Sequence, residues 1–278
     1  MNRLEALIET GASPLWLEAD AYAARLLARD AAPWLDSSAY IAWHRKMLAL
    51  LEPGIAAVNI TPILVAWTAH EASTLRSMQA SRRAVAPFKH LLADPLLRAH
   101  LLAVLTGLRA SYPGLPLALT APSPHRGLLD AYRNAFGGTP EYCADDVDTA
   151  AMYLADFLRT FGEAGIELLL LEESPDSAPA TDEALALYQA VLNVAAHLRW
   201  GIGLRQPAGD RAGMTYPGID FVIGPACAGR PCRAQALGPE FWEDDRAPAP
   251  QAGVLRYAEV PVDAIPERVL ARLDALRR

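Results

Sequence analysis

Residues 166–174 read IELLLLEES, a leucine run closed by two glutamates and a serine. A short continuous apolar run of this kind marks a strand buried on both faces, as in a parallel sheet. Stretches of helical period flank it, at residues 145–164 and 181–198, so the run sits between helices as the strand of a βαβ unit does. The pattern repeats outward in both directions. Further strand-like runs fall at residues 14–19 (PLWLEA), 55–64 (IAAVNITPIL), 116–122 (PLALTAP), 200–206 (WGIGLRQ), 220–226 (DFVIGPA), 233–238 (RAQALG) and 254–261 (VLRYAEVP). Residues 39–51, 91–110 and 266–278 add helical stretches. The alternation predicts an α/β protein, and its count and order predict a single (β/α)8 TIM-type barrel over residues 1–278. An open α/β sheet or a shortened barrel is the alternative, because the last three connections carry little helical pattern.

Composition narrows the function. The chain has 278 residues, 52% apolar and 21% charged, with a mean hydropathy of +0.11, so it can bury a large core and is not a disordered chain. No apolar run approaches the roughly 18 residues of a spanning helix, and the start, Met1-Asn2-Arg3-Leu4-Glu5, lacks an apolar signal segment. Three cysteines, Cys143, Cys227 and Cys232, do not suit a disulfide framework. A cytoplasmic protein without a membrane segment is expected. The net charge of −7 with no block of like charges argues against nucleic-acid or anionic-membrane partners. No Gly-rich phosphate loop, HExxH or GxSxG occurs.

In a barrel the functional groups gather at the C-terminal ends of the strands. Residues so placed are Glu18, Asp20 and Tyr22 after the first run, Asn59 and Thr61 on the second, Thr120, Ser123, His125 and Arg126 after the third, and Glu172 and Ser174 on the fourth. Arg205, Gln206, Glu240, Arg256, Tyr257 and Glu259 follow on the later runs.

Four segments, in order, carry a family resemblance: PLWLEADAYAARLL (14–27), PLALTAPSPHRGLLDAY (116–132), YLADFLRTFGEAGIELLLLEES (153–174) and VPVDAIPERVLARLDALR (260–277). They resemble the uroporphyrinogen decarboxylase superfamily, which also holds cobalamin-independent methionine synthase and is built on a (β/α)8 barrel. The resemblance implies the barrel but not either activity. The decarboxylase's two substrate-gripping arginines would fall on Ala19 and Ala23, its pyrrole-binding aspartate on Pro62, its tyrosine on Phe157 and its late histidine near Ala258. Its serine alone is kept, as Ser174. The zinc ligands of the methyltransferase branch would fall in Gln206-Pro207-Ala208-Gly209-Asp210, which offers neither histidine nor cysteine. The Cys227/Cys232 spacing has no histidine nearby to complete a zinc set.

If Ser174 faces the interior as its family counterpart does, strand alternation turns Glu172 inward and Glu173 outward. The same reasoning turns Arg256 inward with Ala258 and Arg205 outward, opposite to Gln206. The expected enzyme is a cofactor-free lyase, decarboxylase-like, acting on a small carboxylated metabolite, with no metal. Glu172 would be the acid or base and His125 the second proton carrier, with Ser174 and Gln206 orienting the substrate. Arg205 or Arg256 would clamp its carboxylate, and Asp20, Tyr22 and Tyr257 would complete the binding wall. A methyltransferase and a non-catalytic binding subunit are the alternatives. A homodimer is expected from the exposed helices of barrels.

Overall fold

A computed structural model describes residues 13–28, 33–175, 181–206, 216–224, 234–243 and 252–277. Eight strands are described. They are β1 (Leu15–Glu18), β2 (Ala56–Asn59), β3 (Leu117–Pro122), β4 (Leu168–Glu172), β5 (Gly201–Arg205), β6 (Phe221–Ile223), β7 (Ala234–Leu237) and β8 (Leu255–Glu259). The first five alternate with helices, whereas β5, β6 and β7 follow one another with no helix between them among the described residues. The helices are α1 (Asp20–Ala28), α2 (Ser37–Leu51), α3 (Ile60–His70), α4 (Ala72–Met78), α5 (Ala86–Leu92), α6 (Pro95–Ser111), α7 (Pro124–Phe136), α8 (Ala144–Arg159), α9 (Asp182–Ala186), α10 (Gln189–Leu198), α11 (Glu240–Glu243) and α12 (Pro266–Arg277). Every strand pairing is parallel. One sheet has the order β2-β3-β4-β5-β6 and the other β1-β8-β7. The protein is therefore α/β with strands where the hydrophobic pattern places them. Cys227, Cys232 and residues 207–210 lie outside the described residues.

Local chemistry explains the element boundaries. Ser123 starts α7: its Oγ accepts the Arg126 N–H at 3.1 Å, Pro124 takes the first helical position, and Gly137 at φ 78° ends the helix. The run 55–64 is only half strand. Asn59 caps α3 by accepting the Thr61 N–H at 3.0 Å, and Pro62 is tolerated because a first helical turn has no partner for its missing N–H. An apolar run cannot by itself distinguish strand from buried helix. The single helix expected over residues 91–110 is likewise two, because Asp94 caps α6 through the Leu96 and Leu97 N–H groups and Pro95 opens it.

Strand β4 is buried along both faces, as its leucines require. Its odd-numbered leucines, Leu169 and Leu171, join Leu17, Val58, Leu119, Leu204 and Ala258 in a core against the helices. Its even-numbered ones, Leu168 and Leu170, join Trp16, Ala118, Phe221, Ile223, Ala234, Leu255 and Tyr257 in a second cluster. That second cluster draws on both sheets, with Trp16 and Phe221 meeting at 6.5 Å between ring centroids. The two sheets thus face each other across one interior. At its flanks β1 adjoins β2 and β6 adjoins β7.

Glycine on β5 makes room in that interior. A Cβ built on Gly203 would lie 2.3 Å from the Phe221 ring and 3.0 Å from Leu170 Cδ1. Gly203→Ala is expected to lower the unfolding free energy by about 1–3 kcal/mol through overpacking, read as a lower urea midpoint at unchanged slope.

Candidate functional site

The last residues of the strands form one layer of polar groups. Glu18 is in register with Glu259, Asn59 with Thr120, Pro122 with Glu172, and Glu172 with Arg205. Glu172 faces the interior with Leu168 and Leu170, as alternation predicts. Both its oxygens are engaged: Oε1 accepts from Arg205 Nη1 at 2.9 Å and Oε2 from Arg126 Nη1 at 2.9 Å. The second guanidinium nitrogen of Arg205, Nη2, bonds Glu259, and its Cζ lies 5.2 Å from the centre of the Tyr257 ring. Across the flank between the sheets, Asn59 Nδ2 reaches Glu18 Oε2 at 3.4 Å.

Two expected orientations are reversed. Arg256 faces outward, where Nη1 donates to the Leu276 carbonyl at 2.8 Å and Nη2 to the Ser13 carbonyl at 2.9 Å, so it ties β8 to the closing helix and the chain start. Arg205, expected to face outward, points into the site. Because side chains alternate every residue, a slip of one position in the assumed register turns a whole strand over. On β8 the inward residues are Leu255 and Tyr257, not Arg256 and Ala258.

The remaining candidates divide. Asp20, at the first turn of α1, is buried beside Glu18 and within the field of Glu172. Gln206 is buried just beyond β5, its N–H on the Ile223 carbonyl at 2.8 Å. Ser174 is half-buried two residues past β4. His125 is drawn elsewhere: its Nε2 meets Tyr142 Oη at 2.7 Å, and the next residue, Arg126, is the one that reaches Glu172. Tyr22 packs in the helix-facing core, where Arg25 and Glu267 are the charges nearest its hydroxyl. Glu173 faces outward as expected and accepts from Ser123 Oγ at 2.9 Å and Tyr188 Oη at 2.6 Å. The Ser123 bond holds the start of α7, and hence Arg126, against β4, and the Tyr188 bond ties the start of α10 to the same strand end.

Burial dominates the electrostatics of this layer. Desolvation, reinforced by Glu172, pushes Asp20 up to about 7. Glu18 is raised well above the usual carboxylate range, first by burial and then by Asp20 and Glu172. Burial also raises Tyr40 and Tyr257, with Asp20 and Glu18 the leading charges on them respectively. Burial opposes the charge on Arg205, but Tyr257, Glu172 and Glu259 outweigh it and hold its pKa above the ordinary arginine value. Asp20 is therefore the acid poised near neutrality, with Glu18 shifted in the same direction beside it, while Glu172 is the arginines' partner. Tyr40 escapes sequence reasoning because it lies on α2 at a position that reads as core. Its neighbour His44 is structural: Nε2 bonds the Ala57 carbonyl at 2.8 Å, and burial lowers its pKa to about 4.

Among the described residues, Asp20 Oδ2, Tyr40 Oη, Thr120 Oγ1 and Tyr257 Oη are buried without a hydrogen-bond partner. Buried polar atoms are normally satisfied, so these are the groups a bound polar molecule would engage. Of the four, Tyr257 lines a cavity of about 610 Å3, together with Arg205, Gln206, Ile223, Leu237, Glu240 and Glu259 among others. No group of three or more His, Cys, Asp or Glu side chains suited to a metal occurs among the described residues. Nor is any single helix there long and apolar enough to cross a membrane.

No known family model matches the chain, and a search of curated proteins finds no match. The geometry of the strand-end layer is thus what carries a functional reading.

Proposed function

We propose that the two parallel sheets close into a single (β/α)8 barrel and that its C-terminal mouth is the active site of a lyase, decarboxylase-like, acting on a small carboxylated metabolite. Support for closure comes from the interior cluster shared by both sheets and from Asn59 and Arg205, whose side chains bond from one sheet to the other. The likeness of four segments to the uroporphyrinogen decarboxylase superfamily agrees with it. The single observation that carries the chemistry is the pair of raised acids, Asp20 buried and Glu18 half-buried, with Glu18 in the field of Arg205 and Glu259, which line the cavity.

Arg205 gives a substrate carboxylate a charge-assisted seat. Tyr257 and Gln206 line the wall around it. Asp20, protonated to about pH 7, delivers a proton to the carbon left electron-rich when carbon dioxide departs. Glu18 beside it returns that proton from solvent, and an acid matched to the working pH is the efficient choice. Glu172 keeps Arg126 and Arg205 in place. Since both its oxygens are taken by guanidinium groups, the acid–base role falls to the Glu18–Asp20 pair.

The experiment is turnover in D2O at pH 7 with a panel of small mono- and dicarboxylic acids, followed by proton NMR. At least one acid is expected to lose carbon dioxide or to take up deuterium, with the rate lost in Asp20→Asn. No reaction across the panel, together with no carboxylate bound in native mass spectra, would overturn the lyase.

A further inference from the structure

Glu259 holds an unusual place in this site. It ends β8 on the inward side and lines the 610 Å3 cavity. Its carboxylate bonds Arg205 Nη2, yet its side chain is 60% exposed against 3% for Glu172 on the other arm of the same guanidinium. The two arms therefore differ in kind. The Glu172 arm is sealed, and breaking it would strand a buried carboxylate. The Glu259 arm is a rim pair, and solvent-exposed pairs contribute little because water replaces the partner readily.

The rest of the wall says what could replace it. Ile223, Leu237 and Pro239 are apolar, and Tyr257 offers a ring face. The volume lies within the roughly 300–1,000 Å3 of small-molecule sites. Glu240 lines the same cavity, but its carboxylate packs against Gly238 rather than on Arg205.

We infer that Glu259 is a built-in competitor for the ligand's carboxylate: it occupies the outer arm of Arg205 in the free protein and is displaced by a monocarboxylate with an apolar body. This rests on the proposed role of Arg205 as carboxylate seat. Glu259 then sets selectivity. A ligand must present a carboxylate to take over the Arg205 bond, whereas a neutral molecule of the same shape gains nothing by displacing the glutamate.

The test uses benzoate as probe and benzamide as its uncharged counterpart, titrated calorimetrically into wild type, Glu259→Gln and Glu240→Gln. Removing the competitor is expected to tighten benzoate about fivefold, the worth of an exposed ion pair. Benzamide should be unaffected, and Glu240→Gln should have a smaller effect on benzoate. Equal benzoate affinity in wild type and Glu259→Gln overturns the displacement. So does an equal gain in Glu240→Gln, which would mean that only the net charge of the cavity matters. If that affinity is lost in the double variant Arg205→Met/Glu172→Gln, the carboxylate seat stands and the competitor alone is wrong. If neither wild type nor Glu259→Gln binds benzoate at millimolar concentration, the seat and the competitor fall together.

Discussion

Asp20→Asn is expected to stabilise the protein at pH 8, to leave it unchanged at pH 3, and to remove activity. Asp20 is 6% exposed, and its pKa rises from 3.8 to about 7 on folding. Between those values the folded state binds more protons than the unfolded one, so stability falls as pH rises. The favourable contribution of the protonated carboxyl is complete below about pH 4 and gone above about pH 7. The full shift corresponds to about 4 kcal/mol, and asparagine, which does not ionise, escapes that loss. Urea unfolding of both proteins at pH 3, 6 and 8 should show a difference that grows with pH toward about 2–4 kcal/mol. A wild type that is more stable than Asp20→Asn at pH 8 would mean that the ionised carboxylate is favourably paired, and the acid role would fail. Turnover in Asp20→Asn should drop by roughly 10²- to 10⁴-fold, the usual contribution of a positioned proton donor. A group that destabilises the fold at working pH while serving the reaction is a common bargain at active sites.

Arg205→Met is expected to lose about 1.5–3 kcal/mol, the cost of taking one of its two charged donors from a buried carboxylate. Glu172, 3% exposed in its side chain, retains Arg126 but loses the bond to Nη1. Methionine keeps most of the volume and the packing on Tyr257, so the loss reports charge rather than a cavity. Adding Glu172→Gln removes the stranded charge, and the double variant should recover most of the stability. A double-mutant cycle in urea reads this directly as a coupling of about 2 kcal/mol or more. Additive losses would mean that the two side chains do not act as a pair, and the site would lose its central support.

Much of this architecture is legible in the residues. The eight runs fall on the eight strands because a parallel sheet buried on both faces demands short apolar segments, and helices separate the first five of them. Ser123-Pro124 and Asp94-Pro95 announce helix starts through capping chemistry. That Glu172 and Glu173 face opposite ways follows from alternation, and the resemblance at Ser174 is what assigned Glu172 the inward side.

The two arginines mark where that reasoning ends. Strand β5, Gly-Ile-Gly-Leu-Arg, shows side chains on one face only before its arginine, and β8, Leu-Arg-Tyr-Ala-Glu, is buried on both faces. Neither gives an alternation that distinguishes inside from outside, so their parity must come from packing against Phe221, Trp16 and the helices. By itself the chain determined its class, its strand positions and the acids and arginines gathered near the strand ends. Only the tertiary structure decided that Arg205 meets Glu172 and Tyr257 while Arg256 does not, because register between strands distant in sequence sets which faces oppose. It also decided that the pKa values of Asp20 and Glu18 are raised, since desolvation is the joint effect of every group packed around them.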